Sequence, residues 1–454
     1  MSISTEKKSS SFWNLFKPAP YREEMQDSAA VQKSFRYWRF RIFYSMYIGY
    51  SLFYFTRKSF TFAMPGLSSS LGMDKIQLGI LGTVLSITYG LSKFLSGIMG
   101  DKSNPRYFMA IGLFLTGVFN LCFGLSSSLV LFAVFWGLNG WFQGWGWPGC
   151  AKLLTHWYSQ SERGRWWSVW NTSHNLGGAL IPLIATFALE ISGWRLAMYI
   201  PGILCMLAGV FLIDRLRDTP QSLGLPSVEK FKNDYPTSKK EIEKESLPVR
   251  EILIDYVLKN RFIWILAISY FFVYIIRTAV NDWTLLYLIE EKGYSFKTGG
   301  ICVSCFEIGG FLGSLAAGWA SDKLFQAKRN PINFIFSIGV LLSVIAFWQL
   351  PYSPPFLDGV LIFLMGFFIF GPQMLIGIAA TELSHKKAAA TATGFAGCFA
   401  YLGAATAGFP LGYVMQNYGW QGFFSSLSVC AILAALLILP LWSVKNNPRE
   451  ADAS

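Results

Sequence analysis

Runs of about 20 predominantly apolar residues recur along the chain from residue 38 to residue 444, separated by short polar breaks. A helix rising 1.5 Å per residue crosses the hydrocarbon core of a bilayer in about that length. The pattern predicts twelve helical spans, at 38–62, 76–99, 107–126, 129–154, 166–190, 195–214, 261–288, 298–320, 332–350, 357–382, 389–415 and 420–443. The longest polar gap, 215–260, holds nine Lys and Arg residues and four prolines, and it divides the spans six and six. The expectation is an all-α membrane protein with two six-helix halves, 38–214 and 261–444. A polar segment, 1–37, precedes them, a loop, 215–260, joins them, and a tail, 445–454, follows.

Composition agrees with that reading. The chain is 53% hydrophobic and 14% charged, where a soluble domain has about 25% charged residues. The first 37 residues contain no apolar h-region, so no cleavable signal peptide is predicted. The net charge of +12 changes meaning once its distribution is followed. Basic residues occur in alternate loops: the N-terminus, Lys102 and Arg106, Arg163 and Arg165, the central loop, Lys323, Lys328 and Arg329, Lys386 and Lys387, then Lys445 and Arg449. Ser126–Ser128, Pro351–Asp358 and Gln416–Trp420 have none, and Lys292 and Lys297 are the main exceptions. The positive-inside rule assigns both termini and the central loop to the cytoplasm. Much of the basic excess is therefore a topology signal, and a nucleic-acid partner is not expected. The seven cysteines fall in apolar segments, and Cys302-Val-Ser-Cys305 reads as small packing residues on an apolar helix.

The two halves repeat. Gly97-Ile-Met-Gly-Asp101-Lys102 after span 2 matches Gly318-Trp-Ala-Ser-Asp322-Lys323 after span 8, 221 residues on. Pro148 in span 4 corresponds to Pro372 in span 10, and Gly177 in span 5 to Gly403 in span 11. Arg57 in span 1 lies 220 residues before Arg277 in span 7. A guanidinium inside a bilayer span costs about 2.5–3.5 kcal/mol on insertion scales, so two at equivalent positions need a purpose. In a transporter built of two such halves, equivalent positions face each other across a central cavity. The planar fork of Arg offers two parallel hydrogen bonds to two oxygens, and two forks could hold a phosphate dianion from both sides. The alternative is structural, with each Arg paired to a carboxylate such as Asp282 or Glu307, or snorkelling to an interface.

Other polar residues inside spans extend the candidate site. Tyr54 and Tyr274 offer neutral donors near the two arginines. Lys58 points about 100° away from Arg57 on the helix, and either lines the same cavity or pairs elsewhere. Lys93 either lines the pore or pairs with an acid. Asn171 and His174 share one helical face in a polar run within span 5. Gln143 and Gln373, in symmetry-related spans, could bind sugar hydroxyls or satisfy backbone freed by Pro148 and Pro372. Glu307 is a candidate counter-charge between substrates, and Tyr401 in span 11 completes the set. Asp101, Lys102, Asp322 and Lys323 sit at predicted cytoplasmic helix ends and suit a latch that gates the cavity. An empty site with excess positive charge opposes closure of the halves, so this arrangement predicts exchange of anions. The sequence has no Walker A, His-Glu-x-x-His or Gly-x-Ser-x-Gly pattern, so an enzyme is not expected, nor a cofactor or metal.

Several stretches together resemble one family, the organophosphate:inorganic phosphate antiporters of the major facilitator superfamily. They are Phe53-Tyr-Phe-Thr-Arg57-Lys58-Ser-Phe60, Tyr89-Gly-Leu-Ser-Lys93, Gly140-Trp-Phe-Gln143 through Pro148, Trp170-Asn171-Thr-Ser-His174 and Gly371-Pro-Gln373. Arg36-Tyr-Trp-Arg39, Ala279-Val-Asn281-Asp282-Trp283 and Ser321-Asp-Lys-Leu-Phe325 make it most similar to the hexose-phosphate members of the UhpC type. The resemblance implies a paired-arginine phosphate site at Arg57 and Arg277, helped by His174, Lys93 and Tyr274. It implies exchange of a sugar phosphate, with glucose 6-phosphate expected, for inorganic phosphate by a monomer in the inner membrane. It equally implies an alternative role as a receptor that signals external sugar phosphate to a sensor kinase. Span 11 lacks the acid–base pair of some hexose-phosphate carriers.

Overall fold

A computed structural model describes residues 16–234, 252–326, 328–350, 353–384 and 388–444. The start of the N-terminal segment, much of the central loop, Lys386, Lys387 and the whole tail lie outside the described residues. Among those described, the regular structure is helical and no strand occurs.

The first half comprises α1 (Ser28–Leu71), α2 (Lys75–Lys102), α3 (Pro105–Leu125), α4 (Leu129–Gln143), α5 (Gly146–Trp157), α6 (Gln160–Ser192) and α7 (Trp194–Arg215). A short helix, Val228–Lys232, follows. The second half comprises α8 (Arg261–Glu290), α9 (Phe296–Lys323), α10 (Arg329–Gln349), α11 (Pro355–Glu382), α12 (Ala389–Thr406) and α13 (Phe409–Ile438). Local chemistry sets the helix ends. Asp27 caps α1 by accepting from the Ala29 amide at 2.9 Å, and Gly72 ends it at φ 65°. Asp74 and Gln77 form a capping box at the start of α2.

Nine segments among the described residues are long and apolar enough to cross a membrane. Three predicted spans are not separate members of that set, each for a physical reason. α1 is long enough, but Tyr, Ser, Arg57 and Lys58 lower its mean hydropathy. The span predicted at 129–154 is divided at Gly144–Trp145 into α4 and α5, of 15 and 12 residues. The last two spans fall in one apolar stretch, Thr391–Leu441, within which Gly419 turns the chain at φ 61°. The five spans predicted at 107–126, 195–214, 261–288, 332–350 and 357–382 end within three residues of α3, α7, α8, α10 and α11. α1 begins ten residues before its predicted start, because Asp27 supplies an N-cap and a polar helix can stand in the interface.

Packing within each half is dense, with Trp136, Trp157, Trp170 and Trp283 fully buried. The halves meet along α6–α9, α2–α13, α2–α12 and α1–α8. Their hydrogen bonds and ion pairs gather toward the end where α1 finishes and α2 begins. The Thr83 hydroxyl donates to the Ala405 carbonyl and accepts from the Phe409 amide, both at 2.7 Å. Lys75 reaches Glu290 at 3.1 Å, and the Ser304 hydroxyl donates to the Ala179 carbonyl at 3.2 Å. Gly79 lies so close to Gly408 that a Cβ on it would sit 2.7 Å from the Gly408 carbonyl oxygen.

Candidate functional site

Between the halves, at the inner faces of α1, α2, α4, α5, α6, α8, α11 and α12, lies a polar cavity of about 230 Å³. Helix periodicity brings its residues together. Tyr50, Tyr54 and Arg57 follow one another at i, i+4 and i+7 on α1, Tyr89 and Lys93 at i and i+4 on α2, and Tyr274, Arg277 and Asn281 at i, i+3 and i+7 on α8. Of the residues expected from the sequence, Tyr54, Arg57, Lys58, Lys93, Gln143, Asn171, His174, Tyr274, Arg277, Gln373 and Tyr401 all line the cavity. Glu307 is not among its lining residues. It stands behind Lys58, as an ion-pair partner.

Arg57 is held on three sides. Its Nε donates to Oε1 of Gln143 at 3.3 Å. Its guanidinium lies over the rings of Tyr54 and Tyr89, 4.4 Å and 4.3 Å from their centroids. Gln143 is fixed in turn, donating from Nε2 to the Thr56 hydroxyl at 2.9 Å and to Asn139 Oδ1 at 3.1 Å. Arg277 lies over Phe370 and Tyr274, at 5.0 Å and 5.5 Å. Neither arginine has a carboxylate partner among the described residues. Buried without a hydrogen-bond partner are Nη2 of Arg57 and Nε of Arg277. An unpaired buried guanidinium nitrogen is costly to leave so, and both residues line the cavity.

The carboxylates that could have neutralised the arginines are engaged elsewhere. Glu307 Oε1 accepts from the Lys58 ammonium across the interface of the halves, and its Oε2 accepts from Asn175 Nδ2 at 3.3 Å. Asp282 accepts from Asn281 Nδ2 at 2.5 Å and from the Thr61 hydroxyl at 3.5 Å. Lys58 therefore does both things the sequence left open, since it lines the cavity and forms an ion pair. Lys93 donates to the Tyr401 hydroxyl at 3.1 Å, joining the halves at the cavity wall. The ring of His174 lies 5.7 Å from that of Tyr54 and stacks parallel to Phe370 at 6.4 Å. The Oε1 of Gln373 is buried and unpartnered, and its backbone carbonyl accepts from the Tyr270 hydroxyl at 2.7 Å. With each group in its ordinary charged form, four cations and two carboxylates leave the site two units positive. The arrangement fits a doubly charged oxyanion carrying hydroxyls.

Tyr89, Trp147 and Asn281 also line the cavity, although the sequence offers them no part in the site, and so does Asp282, which was expected only as an ion-pair partner for an arginine. Tyr89 and Asn281 had a signal, for each lies one helical turn from a residue already chosen, Lys93 and Arg277. The residues expected to gate are at the opposite end of the helices. Asp322 pairs with Arg329 of its own half, Arg329 with Glu382 at 2.9 Å, and Lys102 and Lys323 are exposed. The Asp101 side chain lies outside the described residues.

Residues 46–408 match the profile of the Major Facilitator Superfamily. The chain belongs to that superfamily. Among its relatives is the probable hexose phosphate transport protein of Chlamydia trachomatis serovar D, 58% identical over 443 residues, which are 95% of this chain and 97% of the relative. Another is the membrane sensor protein UhpC of Escherichia coli, 50% identical over 427 residues, which are 94% and 97% of the two chains. Among solved structures, a bacterial homologue of the human lysosomal transporter Spinster, inward-facing and unoccupied, superposes with a TM-score of 0.71. It is 15% identical over 89% of this chain and 97% of that one, a likeness of fold alone. This facilitator-superfamily member is a multi-pass protein of the inner membrane.

Proposed function

We propose that the protein is a secondary antiporter that exchanges a sugar phosphate, glucose 6-phosphate in the first instance, for inorganic phosphate. The observation that carries this reading is the pair of half-buried arginines, one from each half, that line one cavity without carboxylate partners among the described residues. A phosphate dianion matches their charge, and their forks match its oxygens. Gln143, Asn171, His174, Gln373 and Tyr401 are the proposed neutral contacts to phosphate and sugar. The name of the 58% identical relative supports a hexose phosphate as cargo.

The mechanism follows from charge. Without an anion, two facing guanidinium groups repel, and closing the cavity around them removes the water that screens them. Either anion cancels that repulsion, so the halves rock only when loaded. Such a device exchanges and does not leak. Twelve spans, with 38–214 and 261–444 as the moving halves and both termini cytoplasmic, complete the proposal. In that topology the ties at Thr83, Lys75 and Ser304 seal the outer end, and the cavity faces inward. Asp101, Lys102, Asp322 and Lys323 are proposed to pair across the halves only in the outward-facing state.

Proteoliposomes test the reading. Those loaded with phosphate are expected to take up labelled glucose 6-phosphate far faster than empty ones, and equal rates would overturn exchange. A second reading, a receptor that passes the occupied state to a sensor kinase, is favoured by the 50% identity to a protein named a membrane sensor. Tight binding of glucose 6-phosphate by the purified protein without any flux would select that reading.

A further inference from the structure

A second concentration of positive charge lies far from the central cavity, where α1 begins and α7 ends. There a groove of about 400 Å³ is lined by Arg36, Tyr37, Phe40, Arg41, Tyr44 and Arg215. The α1 residues fall at i, i+1, i+4, i+5 and i+8, which is one face of a helix. That face exists because α1 starts at Ser28, ahead of its apolar core. Phe40 and Tyr37 are 69% and 52% exposed, and aromatic rings beside arginines at the end of a span mark the level of the lipid headgroups.

The groove has more cations than anions. Arg41 donates to the Tyr37 hydroxyl at 2.6 Å and to Asp214 Oδ2 at 2.9 Å. Arg215 shares that same carboxylate at 3.2 Å. Arg36 has no carboxylate within ion-pair distance among the described residues, so three guanidinium groups face one acid. Immediately behind them, the Trp38 ring is covered by Arg41 and Arg217, each 4.9 Å from its centroid. Burial, and then the charges of Arg106 and Arg41, hold Arg217 below its ordinary pKa. The Nε of Arg41 is buried and makes no hydrogen bond. Three guanidinium groups against one acid, beside an exposed aromatic face at the end of a span, call for an anion that arrives with the membrane.

We propose that this groove binds the phosphate headgroup of an anionic phospholipid, with Arg36 and Arg215 as its principal ligands and Phe40 and Tyr44 against its acyl chains. Basic pockets between helices at the cytoplasmic membrane face recognise such headgroups through charge and paired hydrogen bonds. The site is independent of the central cavity, and its occupancy does not rest on what that cavity transports.

The test uses the full-length protein, exhaustively delipidated in neutral detergent and then offered phosphatidylglycerol or phosphatidylcholine. Bound lipid is counted by native mass spectrometry. The expected result is preferential retention of phosphatidylglycerol, with affinity for it falling roughly 25-fold in the R36Q/R215Q double variant. The R36K/R215K variant should keep most of it, which separates lost charge from lost folding. Arg57→Gln in the central cavity should leave retention unchanged. Equal retention of the two lipids, or undiminished binding in a monodisperse R36Q/R215Q protein, would overturn the proposal. So would displacement of the lipid by millimolar inorganic phosphate, which would make the groove a site for a soluble anion.

Discussion

Replacing Arg57 by lysine keeps the charge of the site and removes the fork. In the structure, Arg57 anchors its Nε on Gln143 at 3.3 Å and lies against two tyrosine rings at 4.4 Å and 4.3 Å, and the residue lines the cavity. A lysine ammonium at that position presents a single point donor. One of two parallel charge-assisted hydrogen bonds to the phosphate is lost, worth about 1.5–3 kcal/mol. Weaker contact with the two rings removes about 0.5–1 kcal/mol more. Together these come to about 2–4 kcal/mol, or a factor of roughly 30 to 1,000 in apparent affinity. The assay is the concentration of external glucose 6-phosphate that half-saturates uptake into phosphate-loaded proteoliposomes, with thermal unfolding as a check on folding. A half-saturating concentration within about threefold of wild type, a difference of under 1 kcal/mol, would refute the idea that the fork and not the charge recognises the substrate.

Three further perturbations read out other parts of the structure. Gly79→Val places a side chain against the Gly408 carbonyl, where a Cβ alone has only 2.7 Å; it should hold the Thr83 end of the halves apart and raise cysteine labelling there, and unchanged labelling would count against that end being closed. Glu307→Gln leaves Lys58 charged, buried and unpaired, a change that costs about 3–5 kcal/mol in comparable sites, so the unfolding temperature should fall, and exchange should fall with it. Asp358→Ala breaks a pair with Lys292 in which the two side chains are 0% and 2% exposed and which also holds the Tyr294 hydroxyl at 2.6 Å. Because this pair lies within one half, the protein should lose stability by a similar amount, about 3–5 kcal/mol, while the surviving fraction keeps wild-type affinity for substrate; a shifted affinity would show that the pair is coupled to the site.

Much of this site is legible in the sequence. The offset between Arg57 and Arg277 needed only the register of two apolar spans, because equivalent positions in a repeated bundle converge on one axis. Residues one turn apart on such helices share a face, so Tyr54 followed from Arg57 and Tyr274 from Arg277. What the pattern could not give was partnership across the halves. That Glu307 would pair with Lys58, and that Asp282 would turn to Asn281 and Thr61, depends on the rotation of α9 and α8 in their bundle. A one-dimensional apolar pattern fixes that rotation only to within a side chain. The break at Gly144–Trp145 was hidden for a similar reason. Both pieces are apolar, and hydropathy does not register a backbone bend. Phe108 stacks on Trp145 at 4.4 Å, and the bend comes immediately after Gln143, the residue that anchors Arg57.

Phosphate efflux shows whether the cavity closes only around an anion. Proteoliposomes preloaded with labelled phosphate are placed in phosphate-free buffer, and release is followed before and after glucose 6-phosphate is added outside. The expected result is release at the leak rate of protein-free liposomes until the sugar phosphate arrives, then rapid efflux. Protein-dependent release into buffer containing no external phosphate or sugar phosphate would contradict it, because the empty, doubly positive cavity would then be crossing the membrane.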